Sequence, residues 1–202
     1  VIKQSEEKMY HEKLIEGKEM RNNLIEALEK KLYEKSDETE SHSNNLENYV
    51  ELLGKEIGVH ADVVKNLKLA ARLHDIGLIA IDSSILRKTD LLTDNECERI
   101  KSHPEVGSRI VQSISELQHI SKDILHHHEW YDGSGYPQGL SGNQIPFYSR
   151  IISIVDAYDV MISGRVYKEK VSKTEALEEI KKCSGTQFDP EIVSVFLKLF
   201  KG

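Results

Sequence analysis

Three consecutive histidines, His126, His127 and His128, followed by Glu129, stand in the interior of this chain. Successive helical positions point about 100° apart, so three imidazoles in a row have no logic as core packing. Imidazole is the commonest transition-metal ligand and carboxylates are its usual companions, which makes the run a candidate metal-binding segment. Other histidines near carboxylates carry weaker signals. His74-Asp75 closes a helix just before Gly77, and two adjacent side chains converge on one ion, or on two neighbouring ions, only where the backbone turns. A dipole-stabilised histidine beside a capping aspartate reads as well there. Glu38 and His42, four residues apart, share one helix face, in isolation more simply as a surface ion pair. His103 precedes Pro104, which biases its backbone away from the helix and places it at a helix break. Asp156 lies within Ile151-Ile152-Ser153-Ile154-Val155-Asp156-Ala157-Tyr158, where a carboxylate must be paired or bound to a cation; the cation is the better reading. Asp159, three positions on, can orient a ligand histidine. Together these residues form a histidine and carboxylate set without paired cysteines. It suits two or three Mn or Fe ions and water activation rather than a closed structural zinc site.

The elements that must carry these residues are helical. Leu46, Tyr49, Val50 and Leu53 mark one helix, and Val63, Leu67, Ala70, Ala71 and His74 mark the next, which Gly77 should end. Thr93 with Glu96, and Ser172 with Glu175, have the spacing of capping boxes. Asp189-Pro190 reads as an N-cap followed by a proline at the first helical position, before Ile192, Val195, Phe196 and Leu199. Gly133, Gly135, Pro137, Gly139, Gly142 and Pro146 cluster in one long loop, the kind of segment that carries function in a compact helical domain. Residues 1–40 hold 8 basic and 11 acidic residues, with Leu24, Ile25, Leu28 and Leu32 on one stripe. We read this as a long charged helix, lying on the domain or transmitting a signal from an upstream region.

Composition narrows the function classes. With 27 Lys and Arg against 34 Asp and Glu, the 202 residues carry a net charge of −7, which argues against sequence-independent binding of DNA or RNA. No apolar run approaches the roughly 18–20 residues of a membrane span. Cys97 and Cys183 form no pair motif, and no secretory leader precedes Val1, which point to a reducing, cytoplasmic setting and a chain cut from a longer protein.

The order of motifs resembles the HD-GYP family, a subset of HD-superfamily metal-dependent phosphohydrolases that cleave the bacterial second messenger cyclic di-GMP. The defining strings stand here as His74-Asp75-Ile76-Gly77 and as His127-His128-Glu129-Trp130-Tyr131-Asp132-Gly133-Ser134-Gly135-Tyr136-Pro137. Around them lie His103-Pro104-Glu105-Val106-Gly107, Arg150-Ile151-Ile152 running to Asp156-Ala157-Tyr158-Asp159, and Ser184-Gly185-Thr186-Gln187-Phe188-Asp189-Pro190. The resemblance implies an all-α HD domain over residues 37–202, preceded by a helical linker or signalling helix over 1–36. It implies metal ligands at Glu38, His42, His74, Asp75, His103, His127, His128 and Asp156, with Asp75 bridging two ions and Glu38 accompanying a third. His74 and Asp75 would be the catalytic pair, and divalent ions, Fe or Mn, would activate the attacking water. His126 is left as structural. Arg165 and Lys168 match positions that contact substrate phosphate. Tyr136, Gly133 and Gly135 would shape the nucleotide pocket, the glycine backbone lying close to the substrate.

The implied activity is hydrolysis of cyclic di-GMP to pGpG, and perhaps GMP, with an upstream sensor or receiver domain and a homodimer through the first helix as implied partners. The chain also departs from the family pattern. Leu78 stands where a lysine is usual, Trp130 where an arginine is common, and Asp82-Ser83 where Pro-Asp is common. An intact ligand set favours the enzyme, whereas Leu78 favours the alternative, a catalytically weak or inactive receptor domain that binds cyclic di-GMP.

Overall fold

The computed structural model describes residues 2–36, 38–164 and 169–200, with side chains of the first helix described from Gly17 onward, Lys18 excepted. These residues form ten α-helices and three short 3-10 turns, with no strand among them. The helices are α1 (Ile2–Lys35), α2 (Glu40–Ile57), α3 (Ala61–Leu73), α4 (Ser83–Leu86), α5 (Asp94–Lys101), α6 (His103–Gln112), α7 (Ser121–Leu125), α8 (Phe147–Ser163), α9 (Lys173–Lys182) and α10 (Pro190–Phe200). The all-α expectation holds.

Local chemistry sets the helix ends. Thr39 Oγ1 accepts from the His42 N–H at 3.1 Å and starts α2. Gly58, at φ 82°, ends it by returning its N–H to the Gly54 carbonyl. Both capping boxes form, Thr93 with Glu96 at α5 and Ser172 with Glu175 at α9. Asp189 caps α10 by accepting from the Glu191 N–H at 2.8 Å, and its carboxylate is also paired with Arg150 of α8.

The core gathers Leu46, Val50 and Leu53 of α2, Leu67, Ala70 and Leu73 of α3, and Ile151, Ile152, Val155 and Tyr158 of α8, with Phe196 of α10 closing one side. The end of α1 joins this core through Ile25 and Leu32. Glu29, buried on the same helix, takes two hydrogen bonds from the Arg72 guanidinium of α3. Lys35 Nζ donates to the Ile79 carbonyl at 2.6 Å.

Two local expectations change. Helix α3 ends at Leu73, before Gly77, and the chain passes through His74 and Asp75 into a 3-10 turn, Ile76–Ala80. Gly77 serves another purpose: a Cβ there would lie 1.9 Å from the His103 carbonyl oxygen and 2.7 Å from the Gly107 nitrogen. The missing side chain lets this turn press against the backbone of α6. Glu38 precedes α2 instead of lying on it, because Thr39 takes the cap; the carboxylate is nonetheless buried beside His42.

These contacts generate two predictions. Gly77→Ala should separate the turn from α6, destabilise the fold by about 1–3 kcal/mol and lower metal content, as melts and elemental analysis would read. Asp123 of α7 is buried, and that burial holds its carboxyl up at about 7. Between about pH 4 and pH 7 the native chain keeps a proton that the unfolded chain releases, so stability falls as pH rises through this window. Asp123→Asn should therefore raise the melting temperature at pH 8, by on the order of 2–4 kcal/mol of stability, with the gain shrinking toward pH 4. An unchanged difference across that range would disprove the assignment.

Candidate metal centre

The ligand candidates come from chain segments at helix ends and from two long helices. His74 and Asp75 follow α3, His103 opens α6 just after α5, and His127 and His128 follow α7. His42 stands in the first turn of α2, and Asp156 in the middle of α8. Three of the imidazoles are oriented in the same way: His74 Nδ1 meets the Ala71 carbonyl at 2.8 Å, His103 Nδ1 the Ile100 carbonyl at 2.8 Å, and His127 Nδ1 the Ile124 carbonyl at 2.7 Å. A carbonyl only accepts, so each Nδ1 carries a proton, and each ring in its neutral form turns a lone pair at Nε2 to the other side. His42 Nδ1 is held instead by the Asp159 carboxylate at 2.7 Å, as anticipated, and Asn45 Nδ2 donates to the other Asp159 oxygen at 2.9 Å.

The free faces of these side chains converge. Donor atoms of Asp75, His103, His127 and His128 all lie within 4.8 Å of one another, and so do those of His42, His74 and Asp156. Asp75 joins the groups: its Oδ1 is 3.0 Å from His103 Nε2 and 3.5 Å from His127 Nε2, while its Oδ2 is 3.4 Å from His74 Nε2. Glu38 Oε2 and Asp156 Oδ1 approach His42 Nε2 at 3.3 and 3.4 Å. His103 Nε2 faces His127 Nε2 at 3.2 Å. Among the described residues, His42 Nε2, His74 Nε2 and Asp75 Oδ1 are buried with no hydrogen-bond partner. Inward-facing lone pairs and carboxylate oxygens, buried and unsatisfied, are what a divalent cation would satisfy, so the residues fit a metal centre.

The electrostatics agree. Burial would strip the proton from His42 and His74, yet the carboxylates around them win: Asp156, Asp159 and Glu38 hold His42 up at about 9, and Asp75, Asp156 and Glu38 hold His74 up at about 10. Burial would raise the aspartates, but His42 and His74 outweigh it at Asp156, whose carboxyl stays at about 2, and His74, His103 and His127 outweigh it at Asp75, which lies well below the usual carboxylate range. Burial and the neighbouring rings push His127 and His128 down, leaving them neutral. A region that favours positive charge between neutral imidazoles and ionised carboxylates is suited to a cation.

The glycine-rich loop lies beside this cluster. The Tyr136 ring stacks on His128 with centroids 4.9 Å apart. Gly133 adopts φ 87°, and a Cβ at Gly135 would lie 2.2 Å from the Trp130 nitrogen. The space both glycines provide is used by the loop's own folding. Sequence reasoning missed the loop's anchor: Glu129, buried, accepts from the Gln138 N–H at 2.7 Å and the Leu140 N–H at 3.0 Å. Its place directly after the ligand histidines was the only available signal. His126 has both ring nitrogens engaged, with the Lys122 carbonyl at 2.7 Å and Gln138 Oε1 at 3.2 Å, in keeping with a structural role. Arg165 and Lys168 lie outside the described residues.

Asp159 generates a prediction. Asp159→Asn would loosen His42 and should weaken metal binding roughly 10- to 100-fold, whereas His60→Ala, at an exposed helix cap, should not; metal titration distinguishes them.

Comparison with known proteins agrees with this geometry. A family profile described as HD domain matches residues 19–192. The chain is 40% identical over 166 residues to a cyclic di-GMP phosphodiesterase of Thermotoga maritima, covering 81% of this chain and 45% of that protein. It is 38% identical over 149 residues to a cyclic di-GMP phosphodiesterase response regulator of Xanthomonas campestris pv. campestris, covering 73% and 39%. The chain thus spans less than half the length of these relatives. The fold is shared with a cyclic GMP-AMP specific phosphodiesterase of V. cholerae at a TM-score of 0.69 and 19% identity, covering 89% of this chain and 48% of that one. With its HD and GYP strings in order around one helical cluster, the chain belongs to the HD domain family, in its HD-GYP branch.

Proposed function

We propose that the cluster is a metal centre that hydrolyses cyclic di-GMP to linear pGpG, and onward to GMP. The observation that carries this reading is the convergence of metal-ligating donor atoms in one cluster, in which His42 Nε2, His74 Nε2 and Asp75 Oδ1 are buried without a hydrogen-bond partner. His103, His127 and His128 would hold one ion and His42, His74 and Asp156 a second, and Asp75, whose two oxygens face His103 and His74, would be shared between them. Glu38, 3.3 Å from His42 Nε2, is placed to serve a third. An N and O donor set without thiolate favours Fe or Mn. Two or three such divalent ions would lower the pKa of water and neutralise charge on the phosphoryl oxygens.

The chain's own residues do the rest. Asp75 and His74 set the reacting end of the site, and the Asp159 contact fixes the His42 ring so that its Nε2 faces inward. Tyr136, stacked on His128, gives a nucleotide an aromatic surface next to the ligands. Arg165 and Lys168 are assigned to substrate phosphate by their positions in the motif order. Relatives named for cyclic di-GMP support this substrate over the cyclic GMP-AMP named for the V. cholerae structure. We place residues 37–202 as the catalytic domain and 1–36 as a signalling helix below an upstream sensor or receiver domain, with a homodimer through that helix. A cytoplasmic setting follows from a cyclic dinucleotide substrate. No helix among the described residues is long and apolar enough to cross a membrane, and a net charge of −7 disfavours DNA or RNA polymers as partners.

One observation favours a second reading, a receptor with weak or no turnover. Leu78, on the turn after Asp75, is 9% exposed and packed into the core, so that position presents no amine to the site. The test is to reconstitute the protein with Mn or Fe and follow pGpG and GMP from cyclic di-GMP, with 3′3′-cGAMP in parallel. Turnover of cyclic di-GMP, lost by about 10²-fold or more in Asp75→Asn together with bound metal, is the expected outcome. Tight binding with no product over hours would leave the receptor, and Leu78→Lys should then restore turnover. Failure to retain metal after reconstitution would overturn the centre itself.

A further inference from the structure

The proposed substrate carries two negative charges, yet Glu38, Asp75, Asp156 and Asp159 crowd the floor of the site. A phosphodiester approaching that floor needs fixed positive charge at the rim. One candidate is in place. Lys101 ends α5, two residues before His103, and its Nζ lies over the Tyr136 ring, 6.0 Å from the centroid. Tyr136 in turn stacks on His128, so an unbroken chain of contacts runs from this ammonium to the ligand cluster. The other cation–ring contact among the described residues, Arg150 over Phe147, involves no ring of the site.

From this placement we infer that Lys101 is a substrate-binding residue, its ammonium taking a phosphate oxygen of the dinucleotide at the mouth of the site while Tyr136 holds its stem in place. The inference rests on the reading of the site as one for a cyclic dinucleotide. Its only other partner among the described residues is Glu98, 3.3 Å away on the same helix. Both side chains of that pair are more than half exposed, at 52% and 73%, and an exposed i,i+3 pair contributes little. An incoming phosphate, a stronger partner for an ammonium than a hydrated carboxylate, can therefore displace Glu98 at small cost. A cation held over an aromatic face keeps its N–H groups available for that exchange.

The experiment measures binding of a non-hydrolysable phosphorothioate analogue of cyclic di-GMP to the metal-loaded protein by calorimetry, over a range of salt. The proteins are the wild type, Lys101→Ala, Lys101→Arg and Glu98→Gln, each checked for metal content and melting temperature. Lys101→Ala should bind about tenfold more weakly with a flatter salt dependence, at unchanged metal content. Lys101→Arg, which keeps the positive charge, should bind more tightly than Lys101→Ala, and Glu98→Gln should match or exceed wild type. If Lys101→Ala binds as wild type does, or if Glu98→Gln weakens binding as much as Lys101→Ala, the inference is wrong and the pair is structural. Should the wild type itself bind no analogue, the dinucleotide reading fails and this inference with it.

Discussion

The structure turns on a buried arrangement that is unfavourable by itself. Imidazole nitrogens and carboxylate oxygens crowd one another at 3.0–3.9 Å, and His42 Nε2, His74 Nε2 and Asp75 Oδ1 are buried without a hydrogen-bond partner. Unsatisfied buried polar atoms cost about 1–3 kcal/mol each, so the surrounding helices must hold the rings inward against their own repulsion. The device is repeated three times. His74, His103 and His127 each bind the carbonyl three residues earlier, in the last turn of the helix that precedes them. Carbonyls of a last turn have no further N–H to accept from within their helix. Each helix end thus supplies the acceptor that fixes its own histidine and aims Nε2 away from the axis.

Such a site depends on how closely those helix ends approach one another. Gly77 sets the distance between the Asp75 turn and α6, since any side chain there would meet the His103 backbone. The end of α1 is built into the same turn, with Lys35 donating to Ile79 and Arg87 Nη2 donating to the Glu34 carbonyl at 3.0 Å. Glu29 and Arg72 fasten the helix to α3 one turn further back. The charged first helix thus touches the short run of backbone, residues 75–87, that begins at Asp75.

Much of this was legible in the chain. Motif order picked out the candidate ligands that the fold brings into one cluster, and the carboxylate at Asp156 was informative because burying one in an apolar helix calls for a partner. The capping boxes at Thr93 and Ser172 were local signals and formed as read. What failed were readings that depended on distant contacts. Gly77 looks like a helix terminator in a one-dimensional pattern, but its role is set by α6, some 26 residues away in sequence. In isolation Glu38 and His42 read as a surface pair, yet both are buried, with Asp156 and Asp159 of α8 against His42. Glu129 could not be assigned, because its partners are the N–H groups of Gln138 and Leu140, whose positions depend on the folded loop.

Charge sorts the remaining parts. The ligand carboxylates make the floor of the site acidic, which suits cations and repels a phosphodiester until cations are bound. The same acids could not be replaced by neutral groups without losing the attraction that holds the imidazoles and ions together. Recognition of an anion is therefore displaced outward, to the loop that Glu129 anchors and to the α5–α6 junction. There Tyr136 joins a neutral imidazole on one side of the contact chain to a lysine on the other. The separation follows from Coulomb's law: groups that would hold a cation and groups that would hold a phosphodiester need opposite signs, so they are expected at different places around one cluster.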